Sequence, residues 1–253
     1  MTAERIPMML NKMLLSVFSW KLPFIVLSEK EKETLTKHFG AERVEVLPNT
    51  VDLNDAALHQ RGMKDEQTPL IIGYLGRIEP NKGMTELLEA ARLLKSKDIP
   101  FQITMAGKEE KEGEYLNQFQ QTVGNDFQYA GVVSGKGKSD FLSSVDVFVL
   151  PSYFEGLPMS LLECMSYGAV PVVTPVGSIP EVVEEGINGL FIKVRDAQSI
   201  VDAITSLHHD RKRLLEMGNC ARTTIFEKFS TEKYVGKLNC IYNDLQSECI
   251  KQQ

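Results

Sequence analysis

Beyond residue 68 the chain alternates between two hydrophobic rhythms. Continuous apolar runs of strand length fall at 69–75, 101–105, 127–130, 145–150, 169–173 and 190–192. Between most of them lie segments with a helical period, and over 84–95 the residues Leu87, Leu88, Ala91 and Leu94 share one face. Strand alternating with helix requires parallel strands joined by right-handed crossovers. The pattern predicts an α/β fold with a doubly wound, Rossmann-like parallel sheet covered on both faces, and ligands of such sheets bind at the carboxyl ends of the strands.

The rhythm is different at both ends of the chain. Met8, Leu10, Met13, Leu14, Val17 and Phe18 recur at helical spacing, which predicts an amphipathic helix over 6–18 with an apolar face wanting a partner. A short strand over 22–27 precedes a capping-box start at Ser28 and Glu31, a helix to about His38 closed by Gly40, and a second strand over 43–47. Pro48 breaks this pattern, and 49–67 is polar and irregular, as a linker or domain boundary would be. Residues 197–246 show no strand pattern and read as two or three helices, the last beginning at Ser230, packed on the edge of the sheet. The expected division is a first segment over 1–50, a linker over 51–68, the sheet domain over 69–229 and a C-terminal helix over 230–253.

Composition narrows the class of partner. With 253 residues, 43% of them hydrophobic and 25% charged, the chain can bury a sizeable core. A net charge of -6 gives no field attractive to nucleic acid or an anionic membrane surface, so the expected partner is a small molecule recognised locally. Cys164, Cys220, Cys240 and Cys249 have no paired spacing, which argues against a zinc site or a disulfide framework and for a reducing cytoplasm. The apolar stretch over 6–20 is interrupted by Asn11, Lys12 and Ser16, too polar for a membrane span and without a secretion cleavage site. His38, His59, His208 and His209 form no metal-ligand grouping and read as surface residues.

Two loops carry candidate chemistry. After the strand ending at Leu75 comes Gly76, Arg77, Ile78, Glu79, Pro80, Asn81, Lys82, Gly83, which brings two cations to the mouth of the sheet and suits a diphosphate, or equally a plain turn with solvated charges. After Leu150 the chain reads Pro151, Ser152, Tyr153, Phe154, Glu155, Gly156, Leu157, Pro158, then a helix through Glu163 to Gly168. With Pro158 in its first turn, the amides of Gly156 and Leu157 would point out of a helix N-terminus that favours phosphate oxygens. Glu155 at the rim and Glu163 along the wall suit the paired hydroxyls of two sugars. The plainer alternatives are a Glu155 that only favours the helix dipole and a Glu163 paired with a neighbour. Gly107 and Gly131 with Val132 are places where backbone could approach a flat base, or ordinary turn glycines. Gly137, Lys138, Ser139 look like the end of a phosphate-binding P-loop, but the spacing from Gly131 is wrong for it.

From Gly73 to Lys82, at Gly131, and above all from Pro151 through Glu155 and Glu163 to Gly168, Pro171 and Val172, the sequence resembles the family-4, or group 1, glycosyltransferases, whose signature is two glutamates so spaced. The resemblance covers nearly all of 47–245 and implies the C-terminal, donor-binding half of a GT-B fold, with 1–50 as the remnant of an N-terminal acceptor domain. It implies a nucleotide-diphosphate sugar as substrate, with Arg77 and Lys82 neutralising the diphosphate. In the same likeness the amides of Gly156 and Leu157 assist, Glu155 contacts the transferred sugar and Glu163 holds the ribose. It further implies net retention at the anomeric carbon and no required metal or cofactor.

The leading expectation is therefore a retaining, hexosyl-type transferase of polysaccharide or glycolipid assembly. Its acceptor would be a glycan or lipid-linked, and it would act in the cytoplasm at the inner face of the membrane. The chain would be the C-terminal piece of such an enzyme, with the activity of the piece alone left open. The rival is a non-catalytic nucleotide-sugar-binding subunit completed by a separate N-terminal polypeptide, or held at a membrane, through 6–18. A nucleotide-sugar epimerase or a phosphorylase-like enzyme on the same scaffold fits the residues around Glu155 less well.

Overall fold

The computed structural model describes residues 23–53, 56, 61–111 and 113–251, with side chains through 247; the helix expected over 6–18 and His59 lie outside them. The chain forms two compact units, one of 1–49 with 232–253 and the other of 50–231.

In the first unit, β1 (Phe24–Val26) and β2 (Val44–Val46) pair in parallel across α1 (Glu29–Phe39). The capping box forms as the sequence dictates. Ser28 accepts from the Glu31 amide, and Glu31 reaches back to the Leu27 amide at 2.8 Å. Gly40 ends α1 in the left-handed conformation at φ 67°, its N–H closing on the carbonyls of Leu35 and Thr36. Val26, Ala41, Val44 and Val46 form the small core, with Phe24 and Leu35 against it.

The second unit is built on six parallel strands: β3 (Leu70–Leu75), β4 (Phe101–Ala106), β5 (Phe127–Tyr129), β6 (Val147–Leu150), β7 (Val170–Val173) and β8 (Leu190–Phe191). All six coincide with the apolar runs, because strands covered on both faces bury almost every side chain: β6 and β7 are buried throughout. The helices of this unit are α2 (Met84–Ser96), α3 (Leu116–Val123), α4 (Gly135–Ser144), α5 (Met159–Ser166), α6 (Ala197–His209) and α7 (Arg211–Lys228), while α8 (Thr231–Lys251) belongs from residue 232 onward to the first unit. On α2 the buried face includes Leu87, Leu88, Ala91 and Leu94, as their spacing requires.

The strand order is β5-β4-β3-β6-β7-β8. From β3 the chain steps outward through β4 to β5, returns to β6 on the other side of β3, and steps outward again through β7 to β8. Right-handed crossovers then place α2 and α3 on one face and α4 and α5 on the other. The order reverses between β3 and β6, and the carboxyl ends of these two strands are where sheets of this kind bind their ligands.

Two expectations are corrected. The helices after β8 do not gather at the sheet's edge: α6 packs on α2, and α7 packs on α5 and β7, so each covers a helix layer on a different face. Their apolar stripes, Ile200, Val201, Ile204 and Leu207 on α6 and Met217, Ala221 and Ile225 on α7, are buried in doing so. His208 is no surface residue either. It is 5% exposed at the end of α6, its Nδ1 beside the Arg211 guanidinium at 3.1 Å, because the turn between α6 and α7 folds Arg211 back over it.

Candidate functional site

The loops following β3 and β6 meet at the point where the strand order reverses. Tyr153 donates its amide to the Asn81 carbonyl at 2.9 Å. Gly83, at φ 72°, passes so close to Pro151 that a Cβ there would sit 2.2 Å from its carbonyl oxygen. This contact brings Lys82, from the first loop, against Glu155, from the second: Nζ lies 2.7 Å from Oε1, with the two side chains 17% and 9% exposed.

Glu155 is held from behind by the loop that follows β7. Gly177, at φ 58°, lies where a Cβ would fall 1.9 Å from the Glu155 carbonyl oxygen, and Ser178 donates its amide to the Gly156 carbonyl at 3.0 Å. Thr174 Oγ1 bonds the Ser152 carbonyl at 2.6 Å. The second loop is thus held from two neighbouring strand ends, by the loop after β3 at Tyr153 and by the residues after β7 at Ser152, Glu155 and Gly156. Directly after Ser178 the chain makes a 3-10 turn, Ile179–Glu181.

The structure separates the two cations of the first loop. Arg77 is 72% exposed and reaches Glu79 at 3.3 Å, while Lys82 pairs with Glu155. Below it, the Tyr74 hydroxyl donates to the Arg77 carbonyl at 2.5 Å. Burial, and then the negative charges of Glu155 and Glu79, push the Tyr74 phenol far above its ordinary range, so it remains a donor that pins the loop.

Helix α5 begins at Met159, with Pro158 as its capping residue at ψ 124°, one position earlier in the helix than expected. The helix start therefore follows directly behind Glu155, Gly156 and Leu157, and Leu157 is buried. On this helix Glu163 is 18% exposed among the fully buried Leu161, Leu162, Cys164 and Met165, and meets Lys138 of α4, Nζ to Oε1 at 2.5 Å. Burial and the Glu163 charge raise the Cys164 thiol well above its usual range, leaving it unreactive.

The glycines expected near a base are joined to each other. Gly107 donates its amide to the Gly131 carbonyl at 2.8 Å, and a Cβ on Gly107 would meet the Gly76 carbonyl oxygen at 1.8 Å. Gly76, Gly107 and Gly131 thus form one backbone layer across the ends of β3, β4 and β5, with Val132 exposed beside it. Among the described residues no group of three or more His, Cys, Asp or Glu side chains is placed to hold a metal ion.

Three residues of this region escape sequence reasoning. Tyr153 bonds Glu86 of α2 at 2.8 Å and carries the Arg195 guanidinium 4.8 Å over its ring, bracing the second loop from the far side. No local spacing signals a partnership across so many residues. Lys138 carried a signal, the Gly-Lys-Ser triplet, but for a different ligand.

Comparison with known proteins agrees with this geometry. Residues 57–224 match the family of glycosyl transferases, group 1. The chain is 26% identical, over 236 residues covering 87% of it and 60% of the relative, to the UDP-Gal:alpha-D-GlcNAc-diphosphoundecaprenol alpha-1,3-galactosyltransferase of Escherichia coli. It is 27% identical, over 76% of itself and 50% of the relative, to the N,N'-diacetylbacillosaminyl-diphospho-undecaprenol alpha-1,3-N-acetylgalactosaminyltransferase of Campylobacter jejuni. It therefore spans only about half to three fifths of these relatives. In fold it is similar to the sucrose-phosphate synthase of Thermosynechococcus elongatus, with a TM-score of 0.79 at 19% identity over 95% of this chain and 62% of the other. Anabaena HepE in complex with UDP-glucose gives 0.74 at 19% identity, over 95% and 69%. With the family matched over most of its length and the C-terminal half of a GT-B architecture in its sheet, the chain belongs to the group 1 glycosyltransferases.

Proposed function

We propose that the carboxyl ends of β3 and β6 hold a nucleotide-diphosphate sugar. The diphosphate lies against Lys82 and the start of α5, the transferred sugar at Glu155 and the ribose at Glu163. The whole protein, of which this chain supplies the donor-binding half, would pass the sugar with net retention to a glycan or lipid-linked acceptor. The observation that carries this reading is the Lys82–Glu155 pair at the point of strand reversal. A cation and a carboxylate side by side offer one group to the departing phosphate and one to the sugar hydroxyls.

Transfer builds negative charge on the departing diphosphate. A fixed ammonium and the amides at a helix start stabilise that charge more in the transition state than in the ground state. Such protein cations take the place a divalent metal would otherwise fill, and no metal or cofactor is part of the proposal. Arg77, 72% exposed, contributes on the ligand's outer side. Gly107, Gly131 and Val132 offer a backbone shelf on which a base can lie. The acceptor is proposed to be glycan or lipid-linked because two relatives are named for diphosphoundecaprenol-linked substrates. Work on such an acceptor is proposed to take place at the cytoplasmic face of a membrane; among the described residues no helix is long and apolar enough to cross one.

Calorimetric titration of the chain with UDP, GDP and ADP and their hexose conjugates tests the reading. Selective binding of one base, lost in Lys82→Ala and weakened in Arg77→Ala, is the expected result. Absence of binding to every member of the panel overturns it.

A further inference from the structure

Lys138 belongs to α4 and reaches Glu163 of α5 at 2.5 Å. The pair lines an open cleft of about 380 Å³ together with Gly135, Ser139, Ser166 and Tyr167. On an open surface a lysine–glutamate pair contributes little. Here the carboxylate stands on a helix whose neighbouring side chains Leu161, Leu162, Cys164 and Met165 are fully buried, and a nearby ammonium offsets the cost of keeping a charge there.

We propose that Lys138 is a positioning and specificity residue for the donor: by fixing Glu163 Oε1 it turns Oε2 toward the ribose hydroxyls. Its remaining N–H groups meet the same sugar edge. This rests on the donor-site reading above. A lysine has three N–H donors on a flexible stem, and Glu163 takes one, so the others are left for a hydroxyl or a base carbonyl in the cleft. A carboxylate locked in one rotamer holds a vicinal diol with both hydroxyls satisfied. One left free to rotate loses most of its preference for ribose over 2′-deoxyribose, since discrimination of a hydroxyl depends on a polar partner left unpaired without it. The same placement explains the Gly-Lys-Ser triplet, whose lysine addresses a carboxylate rather than a phosphate.

The test uses the 253-residue chain and the paired probes UDP and dUDP, GDP and dGDP, ADP and dADP, titrated into wild type, Lys138→Met, Lys138→Arg and Glu163→Gln. Lys136→Met, which removes an exposed pair with Asp140, serves as control. In Lys138→Met the preferred ribonucleotide should bind about tenfold more weakly, as loss of a charged hydrogen bond predicts, with a much smaller change for its deoxy partner. The ratio of ribo to deoxy affinity should fall, recover in part in Lys138→Arg, and fall no further when Lys138→Met is added to Glu163→Gln. Unfolding midpoints equal to wild type separate this from a folding defect. A Lys138→Met protein with wild-type or tighter ribonucleotide affinity, or with both affinities reduced equally, overturns the Lys138 role while leaving the donor site standing. A wild-type chain that binds no probe overturns the donor-site reading and this inference together.

Discussion

Strand β6 has a carboxylate at each end, and the two are treated in opposite ways. At its amino end Asp146, 5% exposed, receives Lys64 on both oxygens at 2.8 Å, Arg61 at 3.1 Å and the Ile71 amide at 3.0 Å. Arg61 in turn donates to the carbonyls of Tyr167 and Val145, and burial lowers its pKa against the pull of Asp146. Beyond the carboxyl end, in the loop that follows, Glu155 has a single lysine, Lys82 at 2.7 Å. A carboxylate accepts about four hydrogen bonds. Asp146 has spent that capacity on the fold, whereas Glu155 has spent little of it. Number of partners, more than burial, separates the structural carboxylate from the one proposed to meet the sugar.

The sharpest challenge to this contrast is the pair of substitutions Asp146→Ala and Glu155→Ala. The first strands buried Arg61 without its counter-ion and should cost about 3–5 kcal/mol in urea unfolding. The second, at a rim with one partner, should cost about 1 kcal/mol yet abolish donor binding. Equal losses of stability would erase the distinction. Next in size is Gly177→Ala, which puts a methyl group 1.9 Å from the Glu155 carbonyl oxygen at φ 58°. It should lower stability by about 1–3 kcal/mol and weaken nucleotide binding with it, because the Glu155 loop must move. If binding survives at wild-type strength, the brace from the loop after β7 is not what holds Glu155.

Lys82→Met sharpens the comparison from the ligand side. Unfolding should change by less than about 1 kcal/mol while affinity for the preferred nucleoside diphosphate drops about tenfold or more. The smallest expected effect is pH-dependent and lies away from both carboxylates. Burial, then the Arg211 charge, lowers the His208 imidazole below its ordinary pKa of about 6.5. The unfolded chain therefore takes up this proton first as pH falls, so stability declines from about pH 6.5 downward until the folded-state pKa is passed, and is level above. Urea midpoints between about pH 5 and 8 should show that slope in wild type and a shallower one in His208→Gln. Identical slopes would remove His208 as its source.

How much of this was legible beforehand depends on the range of the interaction concerned. The six strands were visible because a doubly covered strand is apolar at nearly every position, and the capping box at Ser28 and Glu31 because its partners are three residues apart. Glu155 and Glu163 stood out through the resemblance. Arg61 and Lys64 were hidden, lying in a polar stretch that reads as a connection until Asp146 is folded against it. His208 was misread because a polar residue at a helix end is usually exposed, and only the return of Arg211 over it buries it. Pro158 was placed one position too deep because a proline near a helix start fits either the cap or the first turn.

The sequence by itself determined the α/β alternation, the helix faces, the turn glycines and the residue types gathered in each loop, all of which follow from contacts between near neighbours along the chain. Tertiary structure alone decided which loops meet. It set Lys82 rather than Arg77 against Glu155, paired Lys138 with Glu163, and placed Gly177 behind the site. Those choices depend on packing between segments as far as 73 residues apart, and for Lys82 on the reversal of strand order between β3 and β6, which no local periodicity encodes.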